Sequence, residues 1–555
     1  MYRQRKPTAG VEHPAGTDKS PYVPEAQDYG RRGDKASRGA LPVSAAASPR
    51  REAWKQGSNM SKREKRSRSV LMPALALTAG LALCCASRIE AEGAAQKQEA
   101  PSVDEIKLEV PAKIPTYYNL AKQGKKPKVR SQGNTGTCWA FSAVSAIESD
   151  LLPDRQISLS ADHMSLSNGF NATQDDGGDY YMIMSYLSDW KGPVLEEEDP
   201  YGDGESPEGL KPALHVQEVR LLTGLSHAQV KRVILEHGAV QSSLCLDRER
   251  TDTDDYHYYN ALTGAYFDPL MENVDHDVLI LGWDDDYSRE NFRIKPRSDG
   301  AWICQNTWGE SFGEDGIFYV SYEDHNLLRQ GGAAYARIED VDNYDQVYEN
   351  DSLGWQGRQG YETEGCWFAG AFTAEEEEEL AAVGIYSAGP GTTCSVYVIP
   401  DFQGAKDLKA MEACGHRADL GSTVGSGQST DTAETGDSGQ SADTGETVDS
   451  GQSADAVPQP VAERMMDTAG FFTIDLNQSI PLAAGQHFAV AVWIETPGEK
   501  NPVVVEMVKD EYTKNVKLEG RHTWVSADGK YWENTQKKYQ TNVCLKAYTK
   551  RRKET

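Results

Sequence analysis

The sequence predicts an α+β chain with two folded bodies in series. The first, over residues 113–340, has two lobes, one helical and one β; the second, over 356–550, is an all-β sandwich. Three observations lead there. At 555 residues the chain exceeds what one ordinary core organises. The apolar run Cys138–Glu148 reads as a buried helix, and strand-like runs such as Gly238–Leu244 and Val278–Leu281 follow it. Past residue 355 the pattern changes to short alternating strands, among them Thr392–Ile399, Gly470–Leu476, His487–Glu495 and Pro502–Val508.

Charge narrows the partners. The 57 Lys+Arg against 85 Asp+Glu give a net −28, and the first 68 residues are basic, so the acidity lies in the folded part. A body that acidic excludes nucleic acid as a partner and fits a monomer kept apart by self-repulsion. Nine cysteines in this length are not a disulfide scaffold. Six of them, Cys245, Cys304, Cys366, Cys394, Cys414 and Cys544, permit disulfides in an exported protein, with pairing open.

In chain order, residues 1–59 are polar, aperiodic and rich in Gly, Pro, Ala and Arg, and read as a disordered tail. From Met60, a basic stretch (Ser61–Arg68), an apolar stretch (Val70–Leu83) and small residues at 84–86 have the layout of a secretory signal. A cleaved signal peptide and a retained signal anchor both fit 60–86, and either implies a secreted or surface-associated protein. A signal starting at Met60 also makes 1–59 a candidate for being untranslated. Residues 87–112 are a charged spacer. Residues 341–355 read as a connector, and the low-complexity segment 419–460, in which Gly-Gln-Ser recurs every 12 residues, reads as a solvated loop inside the second body.

The chemistry centres on Gln132-Gly-Asn-Thr-Gly-Thr-Cys138-Trp-Ala-Phe-Ser142. A thiol opening a helix meets the positive end of the backbone dipole, which favours thiolate. Gln132 is placed to bring its side-chain amide to the same point. A thiol needs a base, and His276, 138 residues on, begins the apolar strand His276-Asp-Val-Leu-Ile-Leu-Gly-Trp283. Asp277 puts a carboxylate beside the imidazole, which is expected to raise its pKa. The third segment is Gln305-Asn306-Thr-Trp308-Gly309-Glu-Ser-Phe-Gly313. The acidic turn Asp284–Asp286 reads as a solvated turn rather than a calcium site, and no metal or cofactor is expected.

Together these segments resemble papain-like cysteine peptidases. Thr135 stands where the family signature has its first Cys, so the disulfide usually anchoring the nucleophile loop is absent. The resemblance implies Cys138, His276 and Asn306 as catalytic triad, with Gln132 and the Cys138 backbone N–H as oxyanion hole. It further implies that Trp308 shields the His–Asn bond and that Gly177 and Gly178 form the wall of the substrate cleft. The second body resembles the lectin-like sandwich that follows the peptidase domain in exported bacterial papain-like proteins. Trp355, Trp367, Trp493 and Trp524 are candidates there for stacking on sugars, packing being the alternative. The expected function is an exported peptidase acting on proteins or peptides, with cell-surface glycans as further partners. The alternatives are a surface adhesin with a vestigial peptidase domain, and a cell-wall peptide hydrolase or transpeptidase.

Overall fold

The computed structural model describes residues 113–246, 257–270, 273–329, 331–418, 457–518, 520 and 522–552. The expected tail, signal segment and spacer, and most of the 419–460 loop, lie outside the described residues.

The helical lobe is built of α1 (Cys138–Leu151), α2 (Ala161–Leu166) and α3 (Tyr180–Ser188), while α4 (His227–His237) packs on the strands of the β lobe. Their starts follow local chemistry. The Ser160 hydroxyl accepts the His163 N–H of α2 at 2.9 Å, and Asp179 accepts two N–H groups at the start of α3. Ser226 and Gln229 form a reciprocal capping box on α4. α1 is buried almost all round, with Trp139, Phe141, Val144 and Ile147 at 2 % exposure or less, because the β lobe packs on one side and the other helices on the rest.

A 13-stranded sheet forms the β lobe and continues past it. Its strands run His215–Leu221, Gly332–Glu339, Val240–Leu244, His276–Asp284, Ala301–Gln305 and Ile317–Ser321 across the first body. At His215–Leu221 it passes directly into the second body, where Gly470–Leu482 pairs antiparallel with it (Phe471 opposite Val219). Gly470 has φ +140°, and a Cβ there would lie 1.9 Å from the Val219 carbonyl oxygen, so the junction needs glycine. The two bodies therefore share a sheet and a core: Phe141, Tyr186 and Ile280 belong to the same apolar cluster as Tyr386, Phe471 and Tyr548.

The sandwich is completed by a six-stranded sheet that includes Gly365–Thr373, His487–Glu495 and Thr392–Ile399. Alternation along Gly365–Thr373 sends Phe368 into the core between the sheets and Trp367 to the outer face. Trp367 and Trp493 pack on that face under the 3₁₀ segment Asp407–Cys414, and Trp355 packs edge-on against Tyr181. These three are packing residues.

One expectation needs correction. The stretch 341–355 is not a free connector: Gln346–Glu349 is a strand paired with Leu545–Arg551. The fully buried Glu506 carboxylate accepts the Ser352 and Leu353 N–H groups, each at 2.8 Å. The question of disulfides, left open by the sequence, is answered among the described residues, whose seven cysteines are all free thiols. Cys366 and Cys394 lie opposite the same residue, Ile494, from the strands on either side of it. About two strand spacings, some 9–10 Å, therefore separate them, beyond the reach of an S–S bond.

Candidate active site

Cys138 is the first residue of α1, and its loop is tied down without a disulfide. The Tyr201 hydroxyl bridges Thr135 Oγ1 (2.5 Å) and Thr137 Oγ1 (2.7 Å) and donates to the Gln132 carbonyl (2.9 Å). Gly136 N–H donates to the Gln174 carbonyl at 2.9 Å. This polar knot stands where the family signature would place its cysteine bridge. Nothing near Cys138 in the sequence points to Tyr201.

Gln132 is 2 % exposed and fixed from both ends of its amide. Thr307 Oγ1 donates to Gln132 Oε1 (2.5 Å), and Gln132 Nε2 donates to the Thr135 carbonyl (2.7 Å). Its backbone N–H donates to the Thr307 carbonyl at 2.8 Å. Thr307, where the family motif has Ser, thus orients the Gln132 amide.

His276 and Asn306 meet through strand register. His276–Asp284 pairs antiparallel with Ala301–Gln305, Leu279 opposite Gln305. Continuing that register brings the residues after Gln305 alongside those at the start of the His276 strand. The 30-residue sequence gap is taken up by the segment between the strands, as expected from the acidic run. His276 Nε2 lies 2.8 Å from Asn306 Oδ1, which also accepts the Thr307 N–H at 2.7 Å. An atom accepting a backbone N–H must be the amide oxygen, so Nε2 carries the proton. Nδ1 is then the ring nitrogen that can take a proton from a thiol. Trp308 covers the imidazole, ring centres 4.8 Å apart, and Phe312 abuts Trp308 at 5.2 Å. His276 and Asn306 are 5 % and 1 % exposed.

The charge balance at the thiol differs from the expectation of a dipole-favoured thiolate. Burial and the Asp277 carboxylate push the Cys138 thiol up to about 12, against the pull of the Asp277 and Trp139 N–H groups. Burial outweighs the helix terminus because the sulfur has little water around it. Asp277 itself is pushed up to about 6 by burial, although its oxygens accept from Ser243 Oγ (2.5 Å) and Gln241 Nε2 (2.6 Å). Tyr180 and Tyr335 extend this network by bonding to Ser243 and Gln241 respectively. The evident action of Asp277 is on the thiol, through its charge.

Gly177 and Gly178 end the 3₁₀ segment Gln174–Asp176 and lead into α3. A Cβ on Gly178 would lie 2.2 Å from the Trp139 indole, so this segment packs directly on the residue after Cys138. The second body reaches this segment. Asn171 N–H donates to the Tyr512 carbonyl (2.9 Å), and Tyr512 OH donates to Asp176 Oδ1 (3.3 Å).

Comparison with known proteins agrees with this arrangement. The family model for papain family cysteine protease matches residues 114–336, and that for lectin like domain matches 347–426 and 438–549. Cathepsin 7 of Mus musculus is 27 % identical over 231 residues, 40 % of this chain and 65 % of that protein. Cathepsin S of Bos taurus is 27 % identical over 225 residues, 39 % of this chain and 62 % of that protein. The chain thus spans just under two thirds of the length of these relatives. Among solved structures, the cysteine protease and lectin-like domains of Cwp84, a surface layer associated protein of Clostridium difficile, match with TM-score 0.61 at 23 % identity. That match covers 79 % of this chain and 89 % of that one. Cwp84 after propeptide cleavage matches with TM-score 0.59 at 22 % identity, over 79 % and 99 % of the two chains. The chain carries a papain-family cysteine protease domain over residues 114–336 and, joined to it through one sheet, a lectin-like domain over 347–426 and 438–549.

Proposed function

We propose that the protein is an exported or surface-associated cysteine peptidase that hydrolyses protein or peptide substrates through Cys138, His276 and Asn306. The observation that carries this reading is the His276–Asn306 bond, which commits Nε2–H to Asn306 and leaves Nδ1 to serve the thiol. As the carbonyl arrives, His276 takes the Cys138 proton and the sulfur attacks the carbonyl carbon. The oxygen becomes an oxyanion, stabilised by the Gln132 amide and the Cys138 N–H. Collapse breaks the C–N bond, and His276 protonates the departing amine. Water then attacks the thioester, gives up its proton to His276 and releases the acid. The extended substrate lies along Gly177–Gly178.

The acidic, monomeric body acts on polypeptides and not on nucleic acid, and the lectin-like domain contacts surface glycans. Hydrolysis of a mixed fluorogenic peptide library tests the reading, with an added amine acceptor to separate hydrolysis from transpeptidation. Turnover to free acids, lost in Cys138→Ala, is expected. Transfer to the acceptor as the main product would favour the transpeptidase reading, and no turnover by the folded wild type would favour an adhesin.

A further inference from the structure

Where the strands Gly365–Thr373 and His487–Glu495 run out at one end of the sandwich, they frame a cavity of about 530 Å³. That is within the ordinary range for small-ligand sites. Its walls include Phe402 and Trp524, in edge contact at 5.5 Å, with Glu349, Asn350, Thr373 and His487. Backbone bonds brace the rim: Phe402 N–H donates to the His487 carbonyl and Ala371 N–H to the His522 carbonyl, each at 2.9 Å. The site is therefore built on paired strands.

The lining is amphipathic in a particular way. Trp524 and Phe402, 8 % and 6 % exposed, supply an apolar wall. Asn350 is 2 % exposed, and its amide Nδ2 has no hydrogen-bond partner among the described residues, which is costly unless something else accepts from it. Thr373 Oγ1 and His487 Nδ1 share a 2.7 Å hydrogen bond at the exposed edge, which leaves the far ring nitrogen, Nε2, facing outward from that bond. Burial, with Asp189 and Asp351 adding to it, pushes Glu349 up to about 8 against the pull of Lys546, with which it pairs at 3.4 Å. An apolar side chain would leave the amide and imidazole unmatched, and the described lining offers an anion no Lys or Arg.

We infer that this cavity is a binding site for a neutral carbohydrate of one or two pyranose rings. The apolar face of the sugar lies on Trp524 and Phe402, and its hydroxyls bond to Asn350, Thr373 and His487. The inference deepens the glycan reading above and rests on it. None of these residues belongs to the cleft of the protease domain, so sugar binding and peptide hydrolysis are separable.

The test is titration of the intact chain, followed by tryptophan fluorescence and saturation-transfer NMR. The probes are glucose, galactose, mannose, N-acetylglucosamine, N-acetylgalactosamine, lactose and chitobiose, with glucuronic and N-acetylneuraminic acids as charged controls. Saturable binding of a neutral sugar is expected, weakened at least tenfold in both Asn350→Ala and Thr373→Val, with peptide hydrolysis unchanged. Thr373 is exposed, so its variant keeps the test valid should Asn350→Ala fold poorly. Neutral-sugar binding that neither variant weakens would overturn the cavity assignment and leave the glycan reading standing. Binding of the charged sugars alone would overturn the ligand class, and no binding at all would overturn both.

Discussion

Asp277 stands one residue past His276, buried beside Cys138, and its charge opposes formation of the thiolate. In Asp277→Asn that opposition is gone. The thiol then ionises more readily. The limb of the kcat/KM pH profile set by the thiol should move to lower pH, by up to about one unit. A profile that stays in place would mean that Asp277 acts only as a packing group. At this scale Cys138, Gln132, His276 and Asn306 were legible because each lies in a local motif. Tyr201 and the orienting role of Thr307 were not, since their partners lie 66 and 175 residues away along the chain and neither has a pattern of its own. The expected effect of Asp277 on the imidazole was argued from adjacency alone, whereas the fold turns its oxygens to Ser243 and Gln241 on the neighbouring strand.

The loop that leads into Cys138 is an element held by side-chain hydroxyls. In Tyr201→Phe the bonds to Thr135, Thr137 and the Gln132 carbonyl are lost while the ring contact with Phe141 remains. A loss of about 1–2 kcal/mol in stability is expected, typical for removing a buried hydroxyl that serves several partners. Because Gln132 sits in the same loop, kcat should fall more than KM rises. Urea unfolding alongside peptide kinetics checks both, and unchanged kcat would show that the loop holds its shape without the knot. The helix at Cys138 and the strand at His276 were legible from apolar runs, and Ser160 from its capping chemistry. The segment 341–355 was misread because what orders it, Glu506, lies some 150 residues further along the chain and carries no local signal.

Across the whole molecule, one sheet joins the protease and lectin-like domains, and a buried charge cluster lies across the same junction. Lys546 is fully buried between Asp189, Asp351 and Glu349, and Lys191 pairs with Asp189 at 2.6 Å. These carboxylates hold the Lys546 ammonium charged against the effect of burial. Removing one partner of such a cluster leaves the others uncompensated, so Lys546→Met should cost about 3–5 kcal/mol. Because the domains share strands and core, the loss should appear in one cooperative transition, followed by calorimetry. Two separate transitions, with only the lectin-like one affected, would show that the domains unfold independently. Two bodies were legible from the change of pattern near residue 355. Their fusion was not, because Gly470–Leu482 reads like any other strand and only its partner at His215–Leu221 reveals the junction.

The central claim is that Cys138 is the nucleophile served by His276 and Asn306. Mass-spectrometric mapping of the folded chain after reaction with an epoxysuccinyl peptide tests it most directly. The account predicts one label per chain, on Cys138, absent in Cys138→Ala and at least tenfold slower in Asn306→Ala. Labelling spread over the other thiols, or none on a chain that retains its native circular dichroism, would contradict it.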